Sequence, residues 1–295
     1  MKQTVCIQHP ANLSVRHSSL TVDNDCGHTE LPLDDIWVVI IETHLVQISS
    51  AALSAIVDAG IGVMICGSNH MPNGILLPLG AHSRHAQIVK NQLEMSKPLK
   101  KRLWQRIVQA KILNQAKVLE LLGLESKPIK KIASSVKSGD VDNRESVAAA
   151  MYFSQLIQDG TRRDSCRTSP LDYGYSVLRA GIGRAAVSGG WLVSQGIHHA
   201  NNLNAFNLVD DLIEPFRPVI DLMVMEEKII GPLSPADKAT LASIFEYNVS
   251  IGNRKYSVQS AINLELESLR KAVLNDDATQ LALPLISEYG KTQGE

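Results

Sequence analysis

The spacing of apolar residues along the chain changes near residue 80. Before that point, short apolar runs separated by turn-forming residues predict β-strands, and the most continuous runs are Ile36–Ile41 and Ile61–Cys66. After it, apolar residues recur at steps of three and four, which predicts amphipathic helices. We therefore predict an α+β protein with a small N-terminal β-rich domain over residues 1–80 and a larger all-helical domain over residues 81–295.

Three local patterns add detail to the part after residue 80. The stretch Leu171–Val193 is rich in glycine and alanine, which permits close helix packing. The Gly252-Asn253 pair separates two short apolar runs and is a hairpin turn signal. Ser234 followed by Pro235 indicates the start of another helix.

One carboxylate has two interpretations. A helix is predicted to begin at Asp142, where Glu145 completes a capping-box pattern. Glu145 also precedes Ala148 by three residues and so lies on the apolar face of that helix. It either completes the capping box in solvent or points toward the core, where a carboxylate would need a cation or hydrogen-bond donors.

The segment Phe206–Asp221 combines an apolar stripe with an adjacent charged stripe. Pro215 and Pro218 are expected to bend or break this helix. The charged stripe is either a set of structural ion pairs around Arg217 or part of a site for a divalent cation, because oxygen ligands bind hard cations. The residues of this stripe are Asp210, Glu214, Arg217 and Asp221, with Asp211 close to Glu214.

Two histidines, His198 and His199, precede this segment in an asparagine-rich turn. A single surface histidine is usually a polar surface residue, but two beside a carboxylate pair favour a metal ligand. The sequence lacks H-E-x-x-H, G-x-x-x-x-G-K-[ST] and G-x-S-x-G, so zinc-protease, P-loop and α/β-hydrolase chemistry have no support.

Composition favours a soluble, intracellular protein. No apolar run is long enough to span a membrane, and the N-terminus lacks a secretory signal pattern. The four cysteines have no C-x-x-C spacing, which argues against structural zinc and suits a reducing cytoplasm.

Basic residues concentrate in one region although the net charge is only −1. Residues 84–137 contain 13 lysines and arginines against three glutamates and no aspartate. This region is either a solvated helical face or a DNA-backbone surface, and the aromatic content of 4% disfavours a base-stacking platform. The candidate DNA contacts, including a later arginine group, are Lys97, Lys100, Lys101, Arg102, Arg106, Lys130, Lys131, Arg162, Arg163 and Arg167.

Several sequence blocks occur in a fixed order along almost the whole chain. The blocks are LPLDDIWVVIIE, CGSNHMPNGILLPL, KKRLWQRIVQAKILNQAKVLE, NRESVAAAMYF, LDYGYSVLRAGIGRA and GIHH…FNLVDDLIEPFRP. In these blocks the chain resembles one known family, the CRISPR-associated spacer-acquisition integrases, the first of the Cas protein families. The last block is similar to that of the subtype that accompanies the Cas nine effector.

This resemblance implies a metal-dependent endonuclease and integrase with a catalytic helical domain. Its Mg²⁺ or Mn²⁺ ligands fall on Glu145, His199 and Glu214, and its additional aspartate falls on Asp211. The resemblance favours His199 over His198 and leaves the role of Asp210 open.

The implied reaction is attack by the 3′-hydroxyl of a short DNA fragment on a phosphodiester of a CRISPR repeat. The resemblance also implies double-stranded DNA as substrate, a homodimer formed through the β-rich domain, and a complex with the small second Cas protein. The alternatives are a metal-dependent hydrolase of small phosphate esters and a non-catalytic DNA-binding scaffold.

Overall fold

A computed structural model describes residues 2–69, 71–78, 82–157 and 165–286. Its strands are β1 Gln3–Ile7, β2 Ala11–Arg16, β3 Ser19–Asn24, β4 Gly27–Pro32, β5 Ile36–Ile41, β6 Val46–Ile48, β7 Gly62–Cys66, β8 Pro72–Leu76, β9 Asn248–Ile251 and β10 Arg254–Ser257. Its α-helices are α1 Ser50–Asp58, α2 His85–Leu93, α3 Lys97–Leu121, α4 Lys127–Ser135, α5 Arg144–Leu156, α6 Thr168–Ser188, α7 Asn207–Leu212, α8 Arg217–Glu226, α9 Pro235–Ala242 and α10 Val258–Leu274. No helix in these ranges combines the length and apolarity needed to cross a membrane.

The N-terminal strands form two four-stranded sheets with the orders β4-β3-β2-β6 and β1-β5-β7-β8. Strand β5 runs parallel to both β1 and β7. Its side chains alternate between two cores: Val39 and Ile41 join the small core between the sheets, whereas Val38 and Ile40 join the large helical core. Because both faces are covered, the strand is apolar throughout, which explains its unbroken apolar sequence.

Helix α6 packs closely against its neighbours at two glycines. A Cβ atom on Gly174 would lie closer than 3.0 Å to Ile220 of α8, and one on Gly181 would lie equally close to Phe245. The small residues predicted to permit close helix packing therefore do so at these two positions.

The segment 206–221 forms two helices, α7 and α8, instead of one. Residues 213–216 connect them, and Pro215 and Pro218 lie at or next to this connection. The predicted proline break is confirmed, because proline cannot donate the backbone hydrogen bond that a continuous helix requires. Glu214 consequently projects from an inter-helix connection.

The C-terminal part is predominantly but not entirely helical. Strands β9 and β10 form an antiparallel hairpin around Gly252, whose φ of 59° suits glycine. The hairpin predicted from Gly252-Asn253 is therefore present, and the description of this part as all-helical is wrong in that respect. The boundary assigned to residues 80 and 81 falls outside the described residues and stays a prediction.

Candidate active site

Glu145 lies in the first turn of α5, and the way in which this helix starts differs from the prediction. Asn143, at the N-cap of α5, has a left-handed φ of 50° and makes no side-chain cap. The carboxylate of Asp140 instead accepts hydrogen bonds from the backbone N–H groups of Arg144 and Glu145, at 2.8 and 3.0 Å. The predicted capping box is wrong, because Asp140 satisfies these donors and leaves the Glu145 side chain available for another partner.

That partner is Lys111, which lies on α3 and faces two carboxylates. Its Nζ lies 2.6 Å from Glu145 Oε1 and 2.5 Å from Glu214 Oε2. Arg217 donates from Nε to the other oxygen of Glu214 at 3.0 Å. Helices α3 and α5 and the α7–α8 connection thus bring two carboxylates to one cationic nitrogen.

The electrostatics of this group are governed by burial and by charge pairing. Burial disfavours the ionised form of Glu214, but Lys111 and Arg217 outweigh it and lower the pKa of Glu214. Burial likewise disfavours the ammonium of Lys111, but Glu214 and Glu145 outweigh it and raise the pKa of Lys111. Glu214 and Lys111 are therefore both charged at neutral pH.

Asp211 organises the histidine loop. Its fully buried carboxylate accepts hydrogen bonds from the backbone N–H groups of Ile197, His198 and His199, at 2.5, 3.0 and 3.1 Å. It also accepts from Nδ1 of His199 at 2.7 Å. A Cβ on Gly196 would lie closer than 3.0 Å to the His199 carbonyl oxygen and to Asp211, so the tight loop requires glycine there.

These contacts fix the imidazole of His199. An ionised carboxylate can only accept, so in the neutral imidazole of His199 Nδ1 carries the proton and Nε2 presents the lone pair. The hydrogen bond to Asp211 raises the pKa of His199. A metal-binding histidine commonly has this arrangement, in which a carboxylate orients the ring from behind. In this geometry Asp211 orients the ring of His199, and whether it also binds a metal directly stays a prediction.

Trp104 of α3 contacts both histidines. The ring of His198 stacks on it with centroids 4.2 Å apart and planes at 2°, whereas the ring of His199 meets it edge-on at 5.6 Å. The indole occupies the face of His198, and Asp211 holds Nδ1 of His199. His199 is therefore the better-oriented of the two potential ligands.

Asp210 has a separate structural role. Its carboxylate pairs with Nε of Arg179 at 2.6 Å and accepts from Asn204 at 2.7 Å. Arg179 also lies over the ring of Phe206.

Asp221 accepts hydrogen bonds from Tyr152 and Tyr175 within the core. These two carboxylates are thus engaged by groups other than Lys111.

The donor set fits a divalent cation in its chemistry. Two carboxylates, Glu145 and Glu214, already converge on a cation, and His199 offers an oriented nitrogen. Within the described ranges, however, no three histidine, cysteine, aspartate or glutamate side chains are close enough to form a ready-made metal cluster. The position between the two carboxylates is taken by Lys111.

A recess of about 470 Å³ opens beside these residues. Lys111, Gln115, Glu214 and Arg217 supply polar groups to its wall, and Phe153 supplies an apolar surface. The guanidinium of Arg217 lies over the ring of Tyr175, 4.7 Å from its centroid. The site is therefore accessible from a concave surface with both cationic and aromatic groups.

The candidate DNA contacts on α3 point to different sides. Lys97 and Lys101 continue, at steps of four and three, the stripe that carries Trp104 and Lys111. Arg102 lies off this stripe and pairs with Asp276 at 3.6 Å.

Arg106 likewise lies off the stripe and donates to the carbonyl of Leu281 at 3.0 Å. Lys130 is paired with Glu120 on the surface, and Lys131 is exposed. Arg162 and Arg163 lie outside the described residues.

Two residues important to this geometry were not identified from the sequence. Lys111 stands out in the sequence only as one of the cations of the basic region. Its i,i+7 spacing from Trp104, which places both residues on one helix face, was the signal that could have identified it. Asn114 donates to the carbonyl oxygens of Pro215 and Pro284, at 2.7 and 3.0 Å, and so fixes the connection that carries Glu214. The sequence signal for Asn114 was the presence of a polar residue inside an apolar helical stripe.

The chain matches one protein family when it is compared with known proteins. A family model described as CRISPR associated protein Cas1 matches residues 5–228. The chain belongs to the Cas1 family. It is 38% identical, over 99% of both chains, to the CRISPR-associated endonuclease Cas1 of Neisseria meningitidis serogroup C (strain 8013). The resemblance inferred from the ordered sequence blocks is confirmed.

Solved structures show the same fold at low sequence identity. A casposase bound to its integration product matches with a TM-score of 0.77 and 19% identity, covering 100% of this chain and 96% of the casposase. The Cas6-RT-Cas1–Cas2 complex matches with a TM-score of 0.73 and 16% identity, covering 99% of this chain and 36% of the other. The Cas1 fold is therefore present along the whole length of the chain.

Proposed function

We propose that this Cas1-family chain is a metal-dependent DNA endonuclease and integrase that inserts short foreign DNA fragments as new spacers into a CRISPR array. The observation that carries the proposal is the convergence of Glu145 and Glu214 on one cationic position, beside an oriented His199. Membership of the Cas1 family and the fold shared with a casposase bound to its integration product support it.

Glu145, Glu214 and His199 would hold Mg²⁺ or Mn²⁺. When bound by these residues, such an ion would supply Lewis-acid chemistry, which polarises a scissile phosphate and offsets the charge that develops on its oxygens. Asp211 keeps the imidazole of His199 in the tautomer that presents Nε2. The nucleophile is the 3′-hydroxyl of the DNA fragment, so the reaction requires no nucleophilic side chain from the protein.

The DNA backbone would approach along the α3 face that leads to the site. Lys97 and Lys101 lie on that face, and Lys100 lies beside them. Arg102 and Arg106 contact the C-terminal segment instead, which makes them weaker candidates than the sequence suggested.

The assembly we propose follows the architecture of the chain. The β-rich domain, residues 1–80, would form a homodimer, and residues 81–295 would carry catalysis. Dimers would bind the small second Cas protein, as the Cas6-RT-Cas1–Cas2 complex contains both components. The reaction would take place in the cytoplasm, on double-stranded DNA.

The test is strand transfer into a repeat-bearing plasmid, using purified protein, its small Cas partner, a labelled fragment and Mn²⁺. Glu214→Gln removes one proposed ligand, and Glu267→Gln removes an exposed carboxylate of α10 that pairs with Lys271 and serves as the matched control. We expect wild type and Glu267→Gln to join the fragment, and Glu214→Gln to bind DNA but join it at least about 100-fold more slowly.

Two outcomes would contradict parts of the proposal. Equal joining by Glu214→Gln and wild type would reject Glu214 as a ligand. Tight DNA binding without joining by any of the three proteins would favour a DNA-binding scaffold over an integrase.

A further inference from the structure

Lys111 occupies the position that a metal ion needs in order to contact both glutamates. Its ammonium is within 2.6 Å of Glu145 Oε1 and of Glu214 Oε2, and its side chain is only 12% exposed. The three residues come from α3, α5 and the α7–α8 connection, so the contact joins three separate elements. In this arrangement a protein cation balances the two carboxylates.

An ammonium and a divalent ion cannot share this position. Metal ions bind carboxylate oxygens at about 2.0–2.2 Å, so an ion on the same oxygens would lie against the lysine nitrogen. Arg217 already contributes a further positive charge on the other oxygen of Glu214. Repulsion between like charges in a buried site therefore requires Lys111 to leave when the metal enters.

Gln115 offers an acceptor on the same face of α3 as Lys111. Gln115 follows Lys111 by one helical turn on α3, and both side chains line the 470 Å³ recess. The Oε1 atom of Gln115 is buried and has no hydrogen-bond partner among the described residues. A buried acceptor without a donor is costly, so an arriving ammonium would be stabilised there.

We propose that the ammonium of Lys111 neutralises this site when metal is absent and is displaced when a metal ion binds. Without metal it holds Glu145 and Glu214 together, and on metal binding it turns toward Oε1 of Gln115. The inference rests on the proposed function, because it assumes that the two glutamates bind the metal. Lys111 therefore holds the two glutamates in place without metal. Because its ammonium competes with the metal ion, it also lowers the affinity of the site for metal.

The opposing interpretation is a permanent structural ion pair. In that case Lys111 stays between the carboxylates whether or not metal is present, and removing its charge harms the protein equally in both conditions. The two interpretations differ in how stability depends on metal, which can be measured without an activity assay.

The experiment compares wild type, Lys111→Met and Lys117→Met by Mn²⁺ titration calorimetry and by thermal unfolding with and without Mn²⁺. Lys117 is the matched control, because it lies on the same helix and pairs only with the surface carboxylate Glu120 among the described residues. We expect Lys111→Met to have a lower Tm than wild type without metal, since two carboxylates lose their cation. We expect it to bind Mn²⁺ about tenfold more tightly and to recover the lost Tm when Mn²⁺ is added.

Gln115→Leu tests the second position and decides the question if Lys111→Met does not fold. Without metal, Lys111 remains between the glutamates and an unpartnered acceptor is removed, so the Tm should not fall below that of wild type. With metal, the displaced ammonium lacks its acceptor, so Mn²⁺ should bind at least about threefold more weakly. An unchanged Mn²⁺ affinity in Gln115→Leu would overturn the movement toward Gln115.

The remaining outcomes separate this inference from the proposed function. If wild type binds Mn²⁺ and Glu214→Gln does not, but Lys111→Met binds no more tightly than wild type, Lys111 is a permanent ion pair and the inference fails alone. If wild type and Lys111→Met both fail to bind Mn²⁺, the metal-dependent function fails and the inference fails with it.

Discussion

The carboxylate of Asp211 and the imidazole of His199 are joined by a hydrogen bond of 2.7 Å, and the same carboxylate accepts three backbone N–H groups of the loop that carries His199. One buried side chain therefore determines both the path of this loop and the tautomer of its histidine. The sequence places these residues 12 positions apart. The fold therefore makes Asp211 the residue that supports the loop and the ring of His199.

Asp211→Asn should weaken both stability and metal binding. An amide presents an NH₂ group where the carboxylate now accepts, so at least one backbone donor or Nδ1 of His199 loses its partner. We expect a loss of about 1–3 kcal/mol in the free energy of unfolding, measured by chemical denaturation. We also expect Mn²⁺ affinity to fall by about 10–100-fold, as for other residues that orient a metal-binding histidine.

Asp210→Asn is the matched control for that substitution. It changes the neighbouring carboxylate, which contacts Arg179 and Asn204 and, among the described residues, makes no hydrogen bond to His198 or His199. It should leave Mn²⁺ affinity within about threefold of wild type, because its partner is a partly exposed arginine. Equal loss of metal affinity in the two variants would argue against a specific role for Asp211.

The DNA-facing side of α3 can be tested by neutralising two lysines. Lys97→Gln with Lys101→Gln should weaken DNA binding and reduce the slope of log Kd against log salt by about 1.8, which corresponds to two phosphate contacts. Arg254→Gln with Lys255→Gln removes two exposed cations of β10 and is the control. Measurements of Kd at several salt concentrations check this, and equal slopes for both double variants would contradict the assignment.

Close packing of α6 predicts opposite effects at two glycines that are only two residues apart. A Cβ at position 181 would collide with the ring of Phe245, so Gly181→Ala should cost about 1–3 kcal/mol in the free energy of unfolding. A Cβ at position 183 would meet its nearest neighbour, Phe206, at 3.6 Å, an ordinary contact.

Gly183→Ala should therefore be neutral or stabilising by up to about 1 kcal/mol, because alanine favours a helix more than glycine does. Denaturation of both variants under the same conditions gives the comparison. Similar losses at the two positions would mean that the glycines matter for another reason than space.

Local patterns in the sequence were sufficient for much of the fold. The unbroken apolar run of β5, the proline break before α8 and the turn at Gly252 depend on the preferences of neighbouring residues, and each was predicted. The predicted start of α5 is wrong. Asp140 lies outside the predicted capping pattern, yet its carboxylate accepts hydrogen bonds from the backbone N–H groups that Asn143 does not cap.

The site was only partly predictable, because it depends on contacts between distant segments. Glu145 and Glu214 could be proposed as ligands from family resemblance, and the stripe of carboxylates in 206–221 supported Glu214. Nothing in local spacing places Lys111 between residues 34 and 103 positions away along the chain. Likewise, the burial of Asp211 and its use by the histidine loop follow from how α7 packs against that loop.

Glu265 should make the protein less stable as the pH rises. This glutamate of α10 is fully buried, and neither of its carboxylate oxygens has a hydrogen-bond partner among the described residues. Burial raises its pKa well above the ordinary value of 4.5, so the folded state keeps a proton that the unfolded state releases. Stability attributable to this group therefore falls by about 1.4 kcal/mol per pH unit above 4.5, until the pH reaches the folded-state pKa.

Glu265→Gln keeps the shape of the side chain and removes this titration. The variant should gain stability relative to wild type between pH 5 and pH 8, whereas Glu267→Gln, an exposed position on the same helix, should not. Urea denaturation of the three proteins at both pH values measures the difference. A constant gap between Glu265→Gln and wild type at pH 5 and pH 8 would show that Glu265 is ionised in the folded protein, and that a cation or donor compensates its charge.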